Sequence, residues 1–177
     1  MGGLPSVFFN MKKLVLFISL VFAIVGMQAQ TTAKSGNTAY VSYSTFNKDT
    51  LSYLKTNFDT NKAFYIGKSV STLLGDLELP VLSSMADDLI SNQVTVFCLE
   101  FISTSESFKR SENQGKEVLM YITLNQAIPS ADIYALFNQI KVAYPNNSLD
   151  WTPLHNTFYG GRIIKDIQVF LIDNSQQ

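Results

Sequence analysis

The chain has 177 residues, with 13 Lys and Arg against 14 Asp and Glu, one histidine and one cysteine. A single cysteine excludes an intramolecular disulfide, and any histidine-dependent triad or zinc site would have to use the one histidine. A near-neutral balance without a basic cluster argues against nucleic acid and against anionic lipid as partners.

Met11 opens a pattern that Met1 does not. Lys12 and Lys13 are followed by the uninterrupted apolar run Leu14–Val25 and the less hydrophobic Gly26–Gln30, the order of a secretory signal peptide. The apolar run has 12 residues, whereas a spanning helix needs roughly 20. The reading is therefore a leader over residues 1–30, with Met11 as the true start and cleavage after Ala29 or Gln30. No stable membrane anchor is expected after cleavage. The only cysteine, Cys98, lies far from the leader, so a lipid anchor directly behind the cut is not expected either. The remaining 147 residues carry eleven basic and fourteen acidic side chains. That length is enough for one self-sufficient core.

Thr31–Thr38 is polar and small, and reads as a flexible lead-in to a single domain over 39–177. Asp49 or Thr50 can cap a short helix carrying Leu51, Leu54 and Phe58 on one face. Gly67 breaks the chain, and Val70, Leu73, Leu74 and Leu77 then mark a second helix with Ser69 near its start. Pro80 closes it. Val81–Met85 reads as a short strand or an extended connection. Val94–Ser103, rich in β-branched and aromatic residues, predicts a strand with Thr95, Phe97, Leu99 and Phe101 on one face and Val94, Val96, Cys98 and Glu100 on the other. Thr104–Lys116 is a polar, exposed loop, and Glu117–Asn125 a strand antiparallel to the previous one.

Ser130 then begins the strongest helical pattern, with Ile133, Leu136, Phe137, Ile140 and Tyr144 in register and Pro145 ending it. Pro145–Pro153 reads as a turn-rich connection and Gly160–Gly161 as another turn. Arg162–Ile172 is the last strand. The fold class that follows is α+β, an antiparallel sheet of three to four strands packed by two to three helices in a single domain.

Little in this order carries chemistry. His155 lies in a segment read as a loop beside Trp151 and Tyr159, without the companions a metal site needs, and no cofactor motif is present. Cys98 sits mid-strand, where packing rather than reactivity is expected. Ile66–Ser69 ("IGKS") ends like a phosphate-binding loop, but Ala63 stands where the earlier glycine belongs, so a helix start is the better reading. Glu100, among apolar neighbours, is the acid whose environment could tune it, with Asp150 as a second carboxylate. Asp87 and Asp88 are adjacent and do not converge. Tyr40, Tyr43 and Phe46 form one aromatic cluster. Trp151, His155, Phe158 and Tyr159 form another, able either to stack on a ligand or to close an end of the core.

The segment Tyr65–Val81 ("YIGKSVSTLLGDLELPV"), behind a leader ending in "QAQ", resembles small exported proteins of gut-dwelling Gram-negative bacteria. The resemblance implies export, to the periplasm or beyond, and transfers no functional residues. The expected function is an exported non-enzymatic module binding a protein, peptide or glycan through Trp151, His155, Tyr159 and Glu100. The alternatives are a carboxylate-dependent glycan hydrolase using Glu100 and Asp150, and a peptidase inhibitor blocking with the Thr104–Lys116 loop.

Overall fold

The β-branched and aromatic runs in the middle and at the end of the chain pair into one antiparallel sheet, and the helical stretches pack on one side of it. The computed structural model describes residues 35–86, 92–102, 106–107, 109, 115–146 and 150–173. The predicted leader over 1–30, the Asp87–Asp88 pair and most of the 104–116 loop lie outside these residues. Residues 31–177 form one compact unit.

Four strands, β1 (Ser83–Ala86), β2 (Gln93–Glu100), β3 (Lys116–Pro129) and β4 (Ile164–Asp173), lie in sequence order, each antiparallel to its neighbour. Four α-helices are present among the described residues. They are α1 (Thr50–Leu54), which continues into a π-helical turn over Lys55–Thr60, α2 (Val70–Asp76), α3 (Ser130–Ala143) and α4 (Pro153–Gly160). The sheet and three of the helices fall where the hydrophobic periodicity places them. The fourth, α4, replaces the loop expected around His155.

Register explains which sheet face is buried. Phe97, Ile122 and Ile167 stand directly opposite one another, as do Leu99, Met120 and Val169, so both rows point to the same side. Tyr53, Leu54 and Phe58 from the α1 region, Leu73 of α2, and Ile133, Leu136 and Ile140 of α3 complete that core. Strict alternation along β2 would put Val94 on the face away from Phe97. A register shift between Val94 and Val96 corrects this: from the Val94–Ile128 pair to the Val96–Thr123 pair the ladder passes one residue of β2 and four of β3, and Val94 turns into the core at 1% exposure. Cys98 is buried mid-strand.

The "IGKS" stretch has a structural use. Gly67, at φ +77°, turns the chain into a segment lying along the start of β4, where its own N–H donates to the Ile164 carbonyl (2.8 Å) and Val70 N–H to the Arg162 carbonyl (2.9 Å). Amides already committed to carbonyls cannot cradle a phosphate. Lys68 is spent as well, its Nζ 3.0 Å above the Phe64 ring.

Contrary to the flexible lead-in expected over 31–38, the chain is tied down from Ser35 onward. Asp76, buried at 4% exposure, accepts from the Ser35 N–H at 2.8 Å, from the Ser35 hydroxyl, and from the Tyr65 hydroxyl at 3.0 Å. Tyr40 follows, its hydroxyl donating to the Asp76 carbonyl at 2.7 Å and lying 2.7 Å from the Tyr53 hydroxyl. The predicted aromatic cluster of Tyr40, Tyr43 and Phe46 surrounds Tyr53 edge-on at 6.2, 5.1 and 5.9 Å. Burial pushes the Tyr53 hydroxyl up to about 12 and raises Tyr40 and Tyr65 further. Asp76→Asn, which sets an amide donor against two hydroxyl donors, should cost about 2 kcal/mol in urea unfolding. An unchanged midpoint would show that the strap is not anchored there.

Candidate functional site

α4 is built from a local signal that the usual capping pattern hides. Thr152 is the N-cap and Pro153 occupies the first turn, where its missing N–H costs nothing. The third helical residue, normally Glu or Gln in a capping box, is His155, whose Nδ1 accepts the Thr152 N–H at 3.0 Å. The bond assigns the proton to Nε2 in the neutral ring. Burial drives the His155 pKa down to about 4, so the imidazole is neutral near pH 7.

Helical spacing of four residues puts His155 and Tyr159 on one face of α4, and Trp151, one residue ahead of the N-cap, joins them. Their rings are stacked, with Trp151–His155 centroids at 4.8 Å and Trp151–Tyr159 at 6.0 Å. The Tyr159 ring lies in turn on Phe97 of β2 at 4.2 Å and 15°. His155 and Tyr159 are buried, at 3% and 2% exposure, and Trp151 is half-buried, its Nε1 donating to Asn156 at 3.0 Å. Three of the predicted site residues are thus brought together, as a column running from the surface down to the sheet.

Glu100 lies apart from that column. It is buried and accepts from the Ser83 hydroxyl, its partner across the β1–β2 ladder. On the other side of Ser83 stands Asp150, bridged to it antiparallel. Glu100, Ser83 and Asp150 therefore form one cross-strand row, and two strand spacings put the outer backbones roughly 10 Å apart. No group of acidic, histidine and cysteine residues among the described residues could hold a metal ion.

Two concavities adjoin α4 instead. A groove of about 300 Å³ between α3 and α4 is lined by Asp132, Leu136, Gln139, Leu154, Thr157 and Phe158, among others. A cleft of about 240 Å³ at the start of β4 is lined by Asn125, Gln126, Gly161, Arg162 and Ile163. Arg162 joins the two, its guanidinium carbon 4.8 Å above the Phe158 ring and its Nε donating to the Phe158 carbonyl at 3.3 Å. Sequence reasoning missed Arg162, Asn125 and Gln126. The available hint was the spacing of Phe158 and Arg162, four residues apart across the Gly160–Gly161 turn. No protein-family model, curated protein or solved structure matches the chain.

Proposed function

We propose that the chain is an exported, non-enzymatic binding module for a protein, peptide or glycan, and that it engages its ligand at the α4 end of the domain. The observation that carries the reading is the Phe158–Arg162 pair between two adjoining concavities, neither lined by paired acids. The best-placed titratable groups are committed to structure: Asp76 to the strap, Glu100 to Ser83, and His155 to the helix cap. Export rests on the charge and hydropathy order of Met11–Gln30.

The cross-strand row of Glu100 and Asp150 favours a second reading, a glycan hydrolase, because an inverting pair stands roughly 6.5–9.5 Å apart. A glycan array and peptide-binding screen on the purified protein separates the two. Saturable binding without product is the expected result. Product release that Glu100→Gln abolishes would sink the module and establish the hydrolase.

A further inference from the structure

We propose that the cleft at the start of β4 binds the free carboxylate at the end of a peptide chain, with Arg162 as the recognising charge and Asn125 and Gln126 as its amide partners. This rests on the binding-module reading and names a ligand class for it.

The cleft selects for charge first. Arg162 is the only charged residue among Asn125, Gln126, Gly161, Arg162 and Ile163, so among the described lining residues an anion meets attraction and no carboxylate. Its size selects next. At about 240 Å³ it is smaller than the roughly 300–1,000 Å³ of pockets that enclose a whole small molecule. It suits the end of a longer ligand.

The arginine is held ready. Nε is bonded to the Phe158 carbonyl and the guanidinium lies over the Phe158 ring. The Arg162 backbone is fixed on both sides, N–H to Tyr159 at 2.9 Å and carbonyl from Val70 at 2.9 Å. Neither Nη group has a hydrogen-bond or ion-pair partner among the described residues. The Nη edge of a guanidinium presents two parallel N–H donors at the spacing of two carboxylate oxygens, and a fixed side chain loses little entropy in using them.

The neighbours fit a peptide terminus. Asn125 and Gln126 are exposed, and the Asn125 backbone is pinned to Ile163 at 2.8 Å. Each amide offers a donor and an acceptor, the complement of the peptide group next to a terminal carboxylate. Ile163, 40% exposed, offers an apolar contact to the terminal side chain. At Gly161 a Cβ would meet nothing within 4 Å, so the approach is open. A sugar acid would share the carboxylate contact but seek an open aromatic face, and the ring beside Arg162 is already covered by it.

The test uses protein purified after expression of the full-length sequence and ¹H–¹⁵N NMR titration with N-acetyl-Gly-Ala-Ala, as free acid and as C-terminal amide, and with glucuronate. The free acid should shift Arg162 Nε–H and the Asn125 and Gln126 side-chain amides saturably. The C-terminal amide should bind about tenfold more weakly or worse, and Arg162→Gln should impose the same loss. Asn125→Asp, which adds a like charge beside the carboxylate, should weaken the free acid more than the C-terminal amide. Equal binding of acid and amide, binding untouched by Arg162→Gln in a variant with native spectral dispersion, or glucuronate binding as tightly as the peptide would each overturn the proposal. Saturable shifts confined to other surfaces would overturn it while leaving the binding module standing. Binding at Arg162 accompanied by peptide cleavage would support the cleft and overturn the module.

Discussion

Phe97→Ala should lower the unfolding free energy by about 4 kcal/mol, the range for deleting a fully enclosed aromatic ring. Phe97 has 0% exposure, faces Ile122 across the β2–β3 ladder, and carries Tyr159 on its ring at 4.2 Å. The loss therefore combines a cavity in the sheet with a missing platform under α4. Because Trp151 is the only tryptophan and sits at the outer end of the same column, its fluorescence reports on α4 separately from the far-ultraviolet signal of the whole fold. We expect the fluorescence transition of Phe97→Ala to precede the circular dichroism transition in urea. Phe97→Leu, which keeps much of the volume, should cost about 1 kcal/mol. A loss under about 1 kcal/mol in Phe97→Ala would show that α4 does not depend on β2 for its position.

Acid should weaken the fold through His155 before most carboxylates titrate. The folded pKa is about 4 and that of an unfolded histidine is near 6.5, so between those values only the unfolded chain takes up the proton. Stability is then fully present above about pH 6.5, falls as pH drops toward 4, and levels off below it. The drop amounts to about 3 kcal/mol over the window. In His155→Asn the amide oxygen can accept the Thr152 N–H in place of Nδ1 and nothing titrates. The variant should be less stable at pH 7.5, where the ring stack is lost, yet nearly flat between pH 6.5 and 4. Parallel curves for the two proteins would mean that the buried imidazole is not kept neutral.

The parts of the fold that were legible in the sequence are those whose signal is local and repeated. The β-branched runs of β2, β3 and β4 and the spacing of Ile133, Leu136 and Ile140 in α3 announce themselves within a dozen residues. α4 hid because its capping acceptor is a histidine, and because Gly160–Gly161 directly behind it suggested a turn-rich stretch. The register shift at Val94–Val96 hid because its extra residues lie on β3, between Thr123 and Ile128, and alternation along β2 carries no marker for them. The order of Ser35–Tyr40 depends on Asp76, some forty residues away, and polar composition alone reads as slack chain.

The site divides in the same way. Trp151, His155 and Tyr159 could be named from sequence because they are neighbours in it, although their stacking required the unrecognised helix. Arg162 gains its setting from β3 residues 125 and 126 and from α4, a meeting of elements that no spacing encodes.

The borders of the sheet have a consequence for how copies of this protein behave in a crowded compartment. At β4, Ile164 is bonded in both directions to residues 67 and 68, Lys62 Nζ donates to the Ile167 carbonyl, and the Val169 N–H reaches Asp59. At β1, Leu82 and Ser83 are met by Trp151 and Asp150. Backbone groups already partnered give a neighbouring chain little to add a strand to, so growth of the sheet from molecule to molecule is hindered along these stretches of its two flanks. The apolar Met85 and Phe170, exposed on the open face, thus lie in strands whose inner stretches are closed to a pairing neighbour.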